Sequence, residues 1–283
     1  MTLPDCLTPN SLSPLALFLR SLALSALGIG CGSLLFPSEA SLVGVGLFAF
    51  SQGKTVEALL DRNRDEIWGE VISPARANLK LALSLMVIFV GVFATYLFAV
   101  QIVAGHFNDL APVERLFDKQ IGDFGAGRFE DIVFAEFVLI LKHNAGVLFA
   151  CFSFALIYRH AGMLLVLAWN ASVWGAVFSY LSLVATENDS GMATSALYPA
   201  VYASKTLVCI LPHLVSEAVA YVLVAMAGVF TSLGLARHKI GSDSFMQVTR
   251  AILNIFLYAI AWLCLAAAIE AYGAPWLRQL IFG

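Results

Sequence analysis

The residues with the greatest capacity for chemistry lie in one apolar stretch, CILPHLVSEAVAY, which covers residues 209 to 221. Pro212 has no backbone N–H to donate, so it disturbs the helical turn that precedes it. His213 and Glu217 are four residues apart, so they share one face of a helix and can contact each other. An ionised carboxylate is costly in hydrocarbon, and we therefore expect Glu217 to face the bundle interior, an aqueous cavity or His213.

Other polar residues interrupt two further apolar stretches. His143 and Asn144 open one of them, and Asn170 lies inside the next, within LAWNASVWGAVF. Side-chain amides at such positions hydrogen-bond across helices in membranes. We therefore predict an intramembrane polar cluster with six members: His143, Asn144, Asn170, Pro212, His213 and Glu217.

The proline predicts the local geometry of this cluster. Because Pro212 cannot continue the hydrogen-bond ladder, we expect its helix to be kinked or interrupted there and to restart at about His213. The first turns of the restarted helix would then direct His213 and Glu217 inward. Asn144 and Asn170 would approach them from neighbouring helices.

Three interpretations of the cluster remain open at this point. It can be a structural contact between helices, or it can be a translocation site that uses carbonyls freed at Pro212, as discontinuous transporter helices do. In the third interpretation His213, Glu217 and His143 ligate a metal in an enzyme, but His-x3-Glu is a weak signal alone, and the sequence has no HExxH, GxSxG or Walker motif. The sequence thus favours a non-enzymatic protein, and we assign no catalytic residue, metal ligand or cofactor.

Composition defines the surroundings of these residues. Of the 283 residues, 60% are hydrophobic and only 12% are charged, with a mean hydropathy of +0.85, whereas soluble domains carry about a quarter charged residues. The chain is therefore an integral membrane protein whose first partner is the lipid bilayer. A net charge of -3 without any basic block argues against nucleic acid as a ligand.

Hydropathy predicts an all-α fold, a polytopic transmembrane helical bundle of about seven membrane spans plus interfacial helices. The predicted spans are residues 15–36, 40–60, 79–103, 144–158, 163–185, 206–236 and 251–272. The second span carries Gln52, Lys54 and Glu57 in its far half, so we expect it to leave the bilayer before its helix ends. The charged segment 61–78 is predicted to lie at the headgroups.

Glycine, proline and charge divide the chain into three regions. We predict N-terminal transmembrane helices over residues 1–103, an outer loop over residues 104–131 and a second transmembrane domain over residues 132–283. The loop is expected to hold a short amphipathic helix at about residues 113–121. Within the second domain, residues 159–162 are predicted to form a tight turn between two spans.

The basic residues predict the orientation in the membrane. With the N-terminus in the cytoplasm, ten of the 16 Lys and Arg residues fall on the cytoplasmic side and six fall outside. Because cytoplasmic loops carry the excess of basic residues, we predict a multi-pass cell-membrane protein with a cytoplasmic N-terminus and an outer C-terminus. Arg20 lies early in the first span, and we expect it to extend its charged end to the cytoplasmic interface.

Three segments in this order resemble the stage II sporulation protein M family: LKHNAGVLFACFSF, LLVLAWNASVWGAVF and ILPHLVSEAVAYVLVAMAGVFTSLG. The resemblance covers about residues 130–240. The family pattern has an Asn pair opening one helix, an Asn-Gly in the next, and a Pro-His-Gly-x-x-Glu segment in a later one. This chain matches it at Asn144, Asn170, Pro212, His213 and Glu217, and departs from it at His143, Ala171 and Leu214.

The resemblance implies an all-helical integral membrane protein. It also implies a scaffold that anchors partner proteins, among which cell-envelope or peptidoglycan-remodelling proteins are the expected class. The alternatives are a transporter or channel for a small solute that uses the polar cluster, and an intramembrane metal-dependent enzyme. Residues 1–103 lie outside the resemblance and can form a separate helical subdomain, and the sequence leaves the oligomeric state open.

Overall fold

The computed structural model describes residues 13–107, 109–122, 135–188 and 198–282, and within these ranges every regular element is helical. The predicted all-α fold is therefore confirmed. The helices are α1 Pro14–Leu35, α2 Ala40–Trp68, α3 Pro74–Phe107, α4 Ala111–Leu116, α5 Asp118–Ile121, α6 Ala135–Asn188, α7 Tyr198–Arg237 and α8 Asp243–Ala268. A π-helical segment, Ile269–Gly273, joins α8 to α9, Ala274–Phe282.

Five helical segments are long and apolar enough to cross a membrane. They are Pro14–Leu35, Pro74–Phe107, Phe137–Val184, Ser204–Arg237 and Asp243–Ile281. The chain is thus a multi-pass membrane protein, whereas the count of about seven spans stays a prediction. The difference has two sources. The polar residues of α2 make it less apolar than these five segments, and α6 is counted as one segment although its chain reverses direction inside it.

That reversal occurs at Arg159, the one residue inside α6 with non-helical backbone angles, φ 55° and ψ -132°. A Cβ placed on Gly162 would lie 2.0 Å from the carbonyl oxygen of Phe154, although eight residues of continuous α-helix would separate such positions by about 12 Å. The chain therefore folds back on itself. Residues 135–158 form the first arm of a hairpin and residues 160–188 the second, which confirms the turn predicted at residues 159–162.

The N-terminal helices begin close to where the sequence places them. Ser13 caps α1 by accepting a hydrogen bond from the Ala16 amide at 3.2 Å, and α2 starts at Ala40, as predicted. The segment predicted to lie at the headgroups, residues 61–78, is divided between the end of α2, a turn and the start of α3. The predicted amphipathic helix of the outer loop is present as the short helices α4 and α5.

One hydrophobic core runs through α2, α3, α6 and α7. Small residues allow the helices to approach closely, as is usual in lipid. An added Cβ would lie 2.6 Å from the Phe152 carbonyl oxygen at Gly228 and 2.5 Å from the Phe93 carbonyl oxygen at Gly175. These contacts fix α7 and α3 against the two arms of α6, so the N-terminal helices share their core with the later ones.

The loops gather at two opposite ends of the bundle. We call the end that carries α4 and α5 the cap end. There the Lys119 ammonium lies 4.0 Å from a carboxylate oxygen of Glu39, and the Tyr180 hydroxyl donates to Glu114 at 2.5 Å. The turn after α1, the α4–α5 segment and the second arm of α6 therefore meet at one end, as expected for loops on the same side of a membrane.

We call the other end, which contains Arg159, the turn end. The Arg159 Nε donates to the Ser232 hydroxyl at 3.3 Å, and the rings of Trp68 and His238 lie 5.7 Å apart. The end of α2, the hairpin turn of α6 and the end of α7 are thus neighbours. This grouping agrees with the predicted alternation of loops, while the assignment of the turn end to the cytoplasm stays a prediction.

Candidate functional site

The candidate site is built around a carboxyl group buried in α7. Glu217 is 7% exposed and Tyr221 is 1% exposed, and the Tyr221 hydroxyl donates a hydrogen bond to Glu217 Oε1. The two residues are four apart, which places them on one face of the helix. The acidic group in the apolar interior is therefore bound by its own helix.

His213 lies on the same face, one turn nearer the cap end. It is 9% exposed, and its Nδ1 has no hydrogen-bond partner among the described residues. Spacing alone allows Glu217 to pair with either His213 or Tyr221. The structure shows the pair with Tyr221 and no hydrogen bond between His213 and Glu217 within the part of the chain it describes.

Pro212 does not interrupt α7, which continues as one helix from Tyr198 to Arg237. The predicted interruption with a restart at His213 is therefore wrong, and a kink at Pro212 stays a prediction. Pro212 lies on the exposed face of the helix, and the Ser216 hydroxyl donates to its carbonyl at 2.8 Å. Because Pro212 has no N–H, the carbonyl of Val208 does not receive the helical hydrogen bond that residue 212 would donate. Val208 is also exposed, so this carbonyl does not lie on the buried face that holds Glu217.

Asn144 lies in the first arm of α6 at the depth of Glu217. The hydrogen bond from Arg159 to Ser232 aligns this arm with α7, and Gly228 packs against Ala155 in the same register. Asn144 precedes Arg159 by 15 residues, and Glu217 precedes Ser232 by the same number. The two helices run in the same direction, so Asn144 and Glu217 lie equally far from that hydrogen bond. Asn144 is 5% exposed, so its amide belongs to the interior.

The other two predicted members lie elsewhere. The Asn170 amide donates to the Val166 carbonyl at 2.7 Å, so this bond lies within its own helix and not across helices as expected. His143 is exposed on the surface of the first arm of α6. The interior thus holds Asn144, His213 and Glu217, while His143 and Pro212 face outward and Asn170 is half-buried.

Three residues near Glu217 or its partner Tyr221 were not assigned to the cluster from the sequence, and the first is Cys151, which is buried in the first arm of α6. The indole of Trp174 lies 6.1 Å from the Tyr221 ring, and Glu270, in the π-helical segment, lies close enough to Glu217 for their carboxyl groups to interact electrostatically. Trp174 follows Asn170 by four residues, a spacing that could have indicated it. Glu270 is an isolated acid at the end of the last apolar stretch, which is the signal that could have identified it.

A second buried polar group connects α1 and α2. Gln52 is completely buried; its Oε1 accepts from Arg20 Nε at 2.9 Å, and its Nε2 donates to the Ser21 hydroxyl at 3.0 Å. Gln52 was interpreted as a sign that α2 leaves the bilayer. Its amide instead lies between two helices, with Arg20 directed to it.

The described residues contain no group of three or more His, Cys, Asp and Glu side chains that could hold a metal ion. His213 and Glu217 share a helix face, but His143 lies on the exterior of a different helix. The chemistry that this arrangement supports is therefore hydrogen bonding and proton exchange at Glu217, Tyr221 and His213.

Comparison with known proteins gives one family. The family model described as Stage II sporulation protein M matches residues 81–275, which is more than two thirds of the chain. The resemblance inferred over residues 130–240 is confirmed, and the match is longer, since it includes most of α3 and the whole of α8. No curated protein and no solved structure matches the chain significantly.

Proposed function

The chain belongs to the stage II sporulation protein M family, and on that premise we propose that it is a non-enzymatic scaffold that anchors partner proteins to the cell membrane. The partners that the family resemblance favours are cell-envelope or peptidoglycan-remodelling proteins. Such a role needs a rigid bundle in the membrane and a fixed surface outside it.

The observation that carries the proposal is the way polar groups are used inside the bundle. Many buried hydroxyl, amide and carboxyl groups bond to neighbouring helices or to their own helix, as in the pair Glu217 and Tyr221 and in the bond from the Tyr96 hydroxyl to the Ser41 carbonyl at 2.8 Å. The Gln101 amide likewise donates to Ser179 at 2.9 Å. Buried polar atoms without a hydrogen-bond partner among the described residues belong to Ser25, Thr55, Gln120 and His213. Interhelical hydrogen bonds of this kind stabilise a membrane bundle, and they require no substrate.

A fixed surface is available at the cap end. Phe117 is fully buried, and its ring packs edge-on against Tyr96 at 6.0 Å, so α4 and α5 are held to the bundle. Their outward side carries two acidic and two basic residues, which we name the cap surface: Glu114, Arg115, Asp118 and Lys119. Mixed charges on a rigid support favour selective recognition of a complementary protein surface.

The test is cross-linked co-purification from native membranes, with identification of the bound proteins by mass spectrometry. A double variant, Arg115→Gln with Lys119→Gln, removes both cations of the cap surface. The matched control, Arg76→Gln with Lys239→Gln, removes two exposed cations at the turn end. We expect a partner that is retained by the control and lost from the cap variant, and an unchanged set of partners in the cap variant would contradict the proposal.

A transporter is the alternative favoured by a specific observation, the buried carboxyl of Glu217, because intramembrane acids often mark ion or proton pathways. Solute flux in proteoliposomes separates the two functions. If the protein is a scaffold, neither the unaltered protein nor the Glu217→Gln variant should give solute flux. Flux that Glu217→Gln abolishes, in a protein that remains folded by circular dichroism and gel filtration, would replace the scaffold with a transporter.

A further inference from the structure

Arg20 places a positive charge inside an apolar helix. It follows Pro14, the first residue of α1, by six residues, and Pro14 lines a cavity together with Lys80, near the start of α3 at the turn end. At 1.5 Å per residue, Arg20 lies about 9 Å along α1 from that end. Because α1 is one of the five segments that can cross a membrane, this depth places Arg20 below the headgroups and within the hydrocarbon layer.

The side chain of Arg20 is held at this depth by α2. Its Nε donates to Gln52 Oε1 at 2.9 Å, and Nε2 of the same amide donates to the Ser21 hydroxyl at 3.0 Å. Gln52 is completely buried. Since one buried amide binds two consecutive residues of α1, the guanidinium stays beside its own helical turn and does not extend to the headgroups.

The rest of the guanidinium has no partner within the described part of the chain. A guanidinium has five N–H donors, and the bond to Gln52 uses Nε–H alone. None of the ion pairs that the described residues form includes Arg20. A charge at membrane depth is costly unless an opposite charge accompanies it. Arg20 is only half-buried, so an anion outside the bundle can reach its terminal nitrogens.

The surface beside Arg20 has the spacing of a helix-packing seam. Ala23, Leu27, Gly30 and Leu34 follow Arg20 at alternating steps of three and four residues, and all four are exposed. We call these five residues the α1 seam. Such spacing suits contact with a second helix, and small residues let its backbone approach closely. A Cβ added to Gly30 would meet no atom within 4 Å, so this side of α1 is open.

We propose that the α1 seam binds one transmembrane helix of a partner protein, whose Asp or Glu carboxylate pairs with Arg20. The inference rests on the proposed scaffold role and names the class of partner. A lipid phosphate suits the position less well, because it would have to enter the hydrocarbon layer by about 9 Å. A carboxylate on a transmembrane helix already lies at that depth, and charges inside membranes pair with one another.

The first test uses defined probes and the full chain in phosphatidylcholine liposomes. Three leucine-based transmembrane peptides carry Asp, Asn or Leu at the depth of Arg20, and energy transfer between labelled peptide and labelled protein measures binding. We expect the Asp peptide to bind about ten-fold more tightly than the Leu peptide. Arg20→Gln should remove this preference, because glutamine can bond to Gln52 without carrying a charge, and Arg20→Lys should keep it.

A variant of the seam distinguishes a binding surface from a merely structural contact between Arg20 and Gln52. Ala23→Phe fills the seam and leaves Arg20 in place, so it should weaken binding of the Asp peptide. Ala261→Phe adds the same ring to an exposed position of α8 and should have no effect. Circular dichroism and gel filtration verify that every variant folds.

Four results of this test would overturn the proposal. They are equal binding of the three peptides, a preference for Asp that survives Arg20→Gln, equal effects of Ala23→Phe and Ala261→Phe, and loss of the preference when phosphatidylglycerol is added. The last result would assign the anion to a lipid phosphate.

Photo-crosslinking in native membranes identifies the occupant. A photoreactive residue replaces Leu27 in the seam, and the control replaces Leu257, which is similarly exposed on α8. We expect the Leu27 position alone to capture a transmembrane segment of another protein that contains Asp or Glu. Capture of a second copy of this chain, or of segments without an acid, would contradict the inference. If a partner is still lost from the cap variant, such a failure rejects the seam and keeps the scaffold role.

Discussion

At the scale of single residues, several polar side chains inside the bundle bind partners that the protein itself provides, whereas His213 Nδ1 has none among the described residues. Glu217 receives the Tyr221 hydroxyl, and Gln52 binds both Arg20 and Ser21. An unpaired polar group in such a place costs more than its hydrogen bond contributes. These contacts therefore select one arrangement of the helices over others that would bury the same apolar surface.

The pair in α7 can be tested by coupling two substitutions. Tyr221→Phe removes the hydroxyl and should lower the free energy of unfolding in detergent by about 1 kcal/mol or less, the usual size for such bonds in membrane proteins. In a Glu217→Leu background the hydroxyl has no acceptor to lose, so Tyr221→Phe should cause no further loss. Tyr258→Phe, on the exposed face of α8, is the control. Equal losses in both backgrounds would show that the pair contributes nothing.

Residue types and spacing predicted six side chains inside the bundle, of which three are buried, and they did not predict which pairs form. The burial of Glu217, His213 and Asn144 follows from the cost of polar groups in lipid. The partner of Glu217 does not follow, because His213 and Tyr221 are equally spaced from it and only the packed bundle selects between them. The predicted interruption at Pro212 is wrong for a related reason: the ring lies on an exposed face, so α7 loses one hydrogen bond and stays continuous from Tyr198 to Arg237.

At the scale of elements, glycines decide how closely helices approach. Gly228 of α7 contacts the backbone of Phe152 and the side chain of Ala155, where an added Cβ would lie 2.6 Å from the carbonyl oxygen and 2.8 Å from the methyl carbon. Backbone atoms cannot move aside without displacing a whole helix. The contact is thus a fixed point between α7 and the first arm of α6.

A methyl group at this position should separate the two helices. Gly228→Ala is expected to lower the free energy of unfolding by about 1 to 3 kcal/mol, the usual cost of overpacking. Gly146→Ala, in the same arm of α6, has open space around the added Cβ and should leave stability unchanged or raise it, because alanine favours a helix. Thermal unfolding in detergent compares them, and a similar loss in both variants would contradict this account of the contact.

The hairpin turn of α6 contains a strained backbone at Arg159, whose φ of 55° favours glycine. Arg159→Gly relieves this strain but loses the hydrogen bond to Ser232, and Arg159→Ala loses the same bond without relief. We therefore expect the glycine variant to be more stable than the alanine variant by about 1 kcal/mol. Equal stability of the two variants by thermal unfolding would show that the turn is unstrained.

The hairpin also shows where sequence information is strong at this scale. A short polar interruption between two apolar stretches was sufficient to predict the turn at residues 159–162. The C-terminal end of α2 was harder to predict than its start, because Gln52 and the charges after it indicate a solvated segment when they are considered alone. The structure extends α2 to Trp68, and α1 supplies the partners of Gln52.

At the scale of the whole molecule, the bundle has two distinct ends, and the basic residues predict which one faces the cytoplasm. Single cysteines can test this in a background without the native ones. A cysteine replacing Lys119 at the cap end should react with an impermeant maleimide added outside intact cells. Cysteines replacing Arg64 or Lys239 at the turn end should not react until the membrane is permeabilised, and their immediate labelling would invert the topology.

The buried Gln52 has a consequence for biogenesis. A translocon accepts segments one by one according to their apolarity, and α2 is not among the five described segments that are long and apolar enough to cross a membrane. Its amide is bound only when Arg20 and Ser21 are beside it, so α2 should partition into lipid together with α1 and not alone. In a glycosylation-mapping assay, α2 should stay uninserted in a nascent chain that lacks α1. Introducing Gln52→Leu into that chain should rescue the insertion of α2.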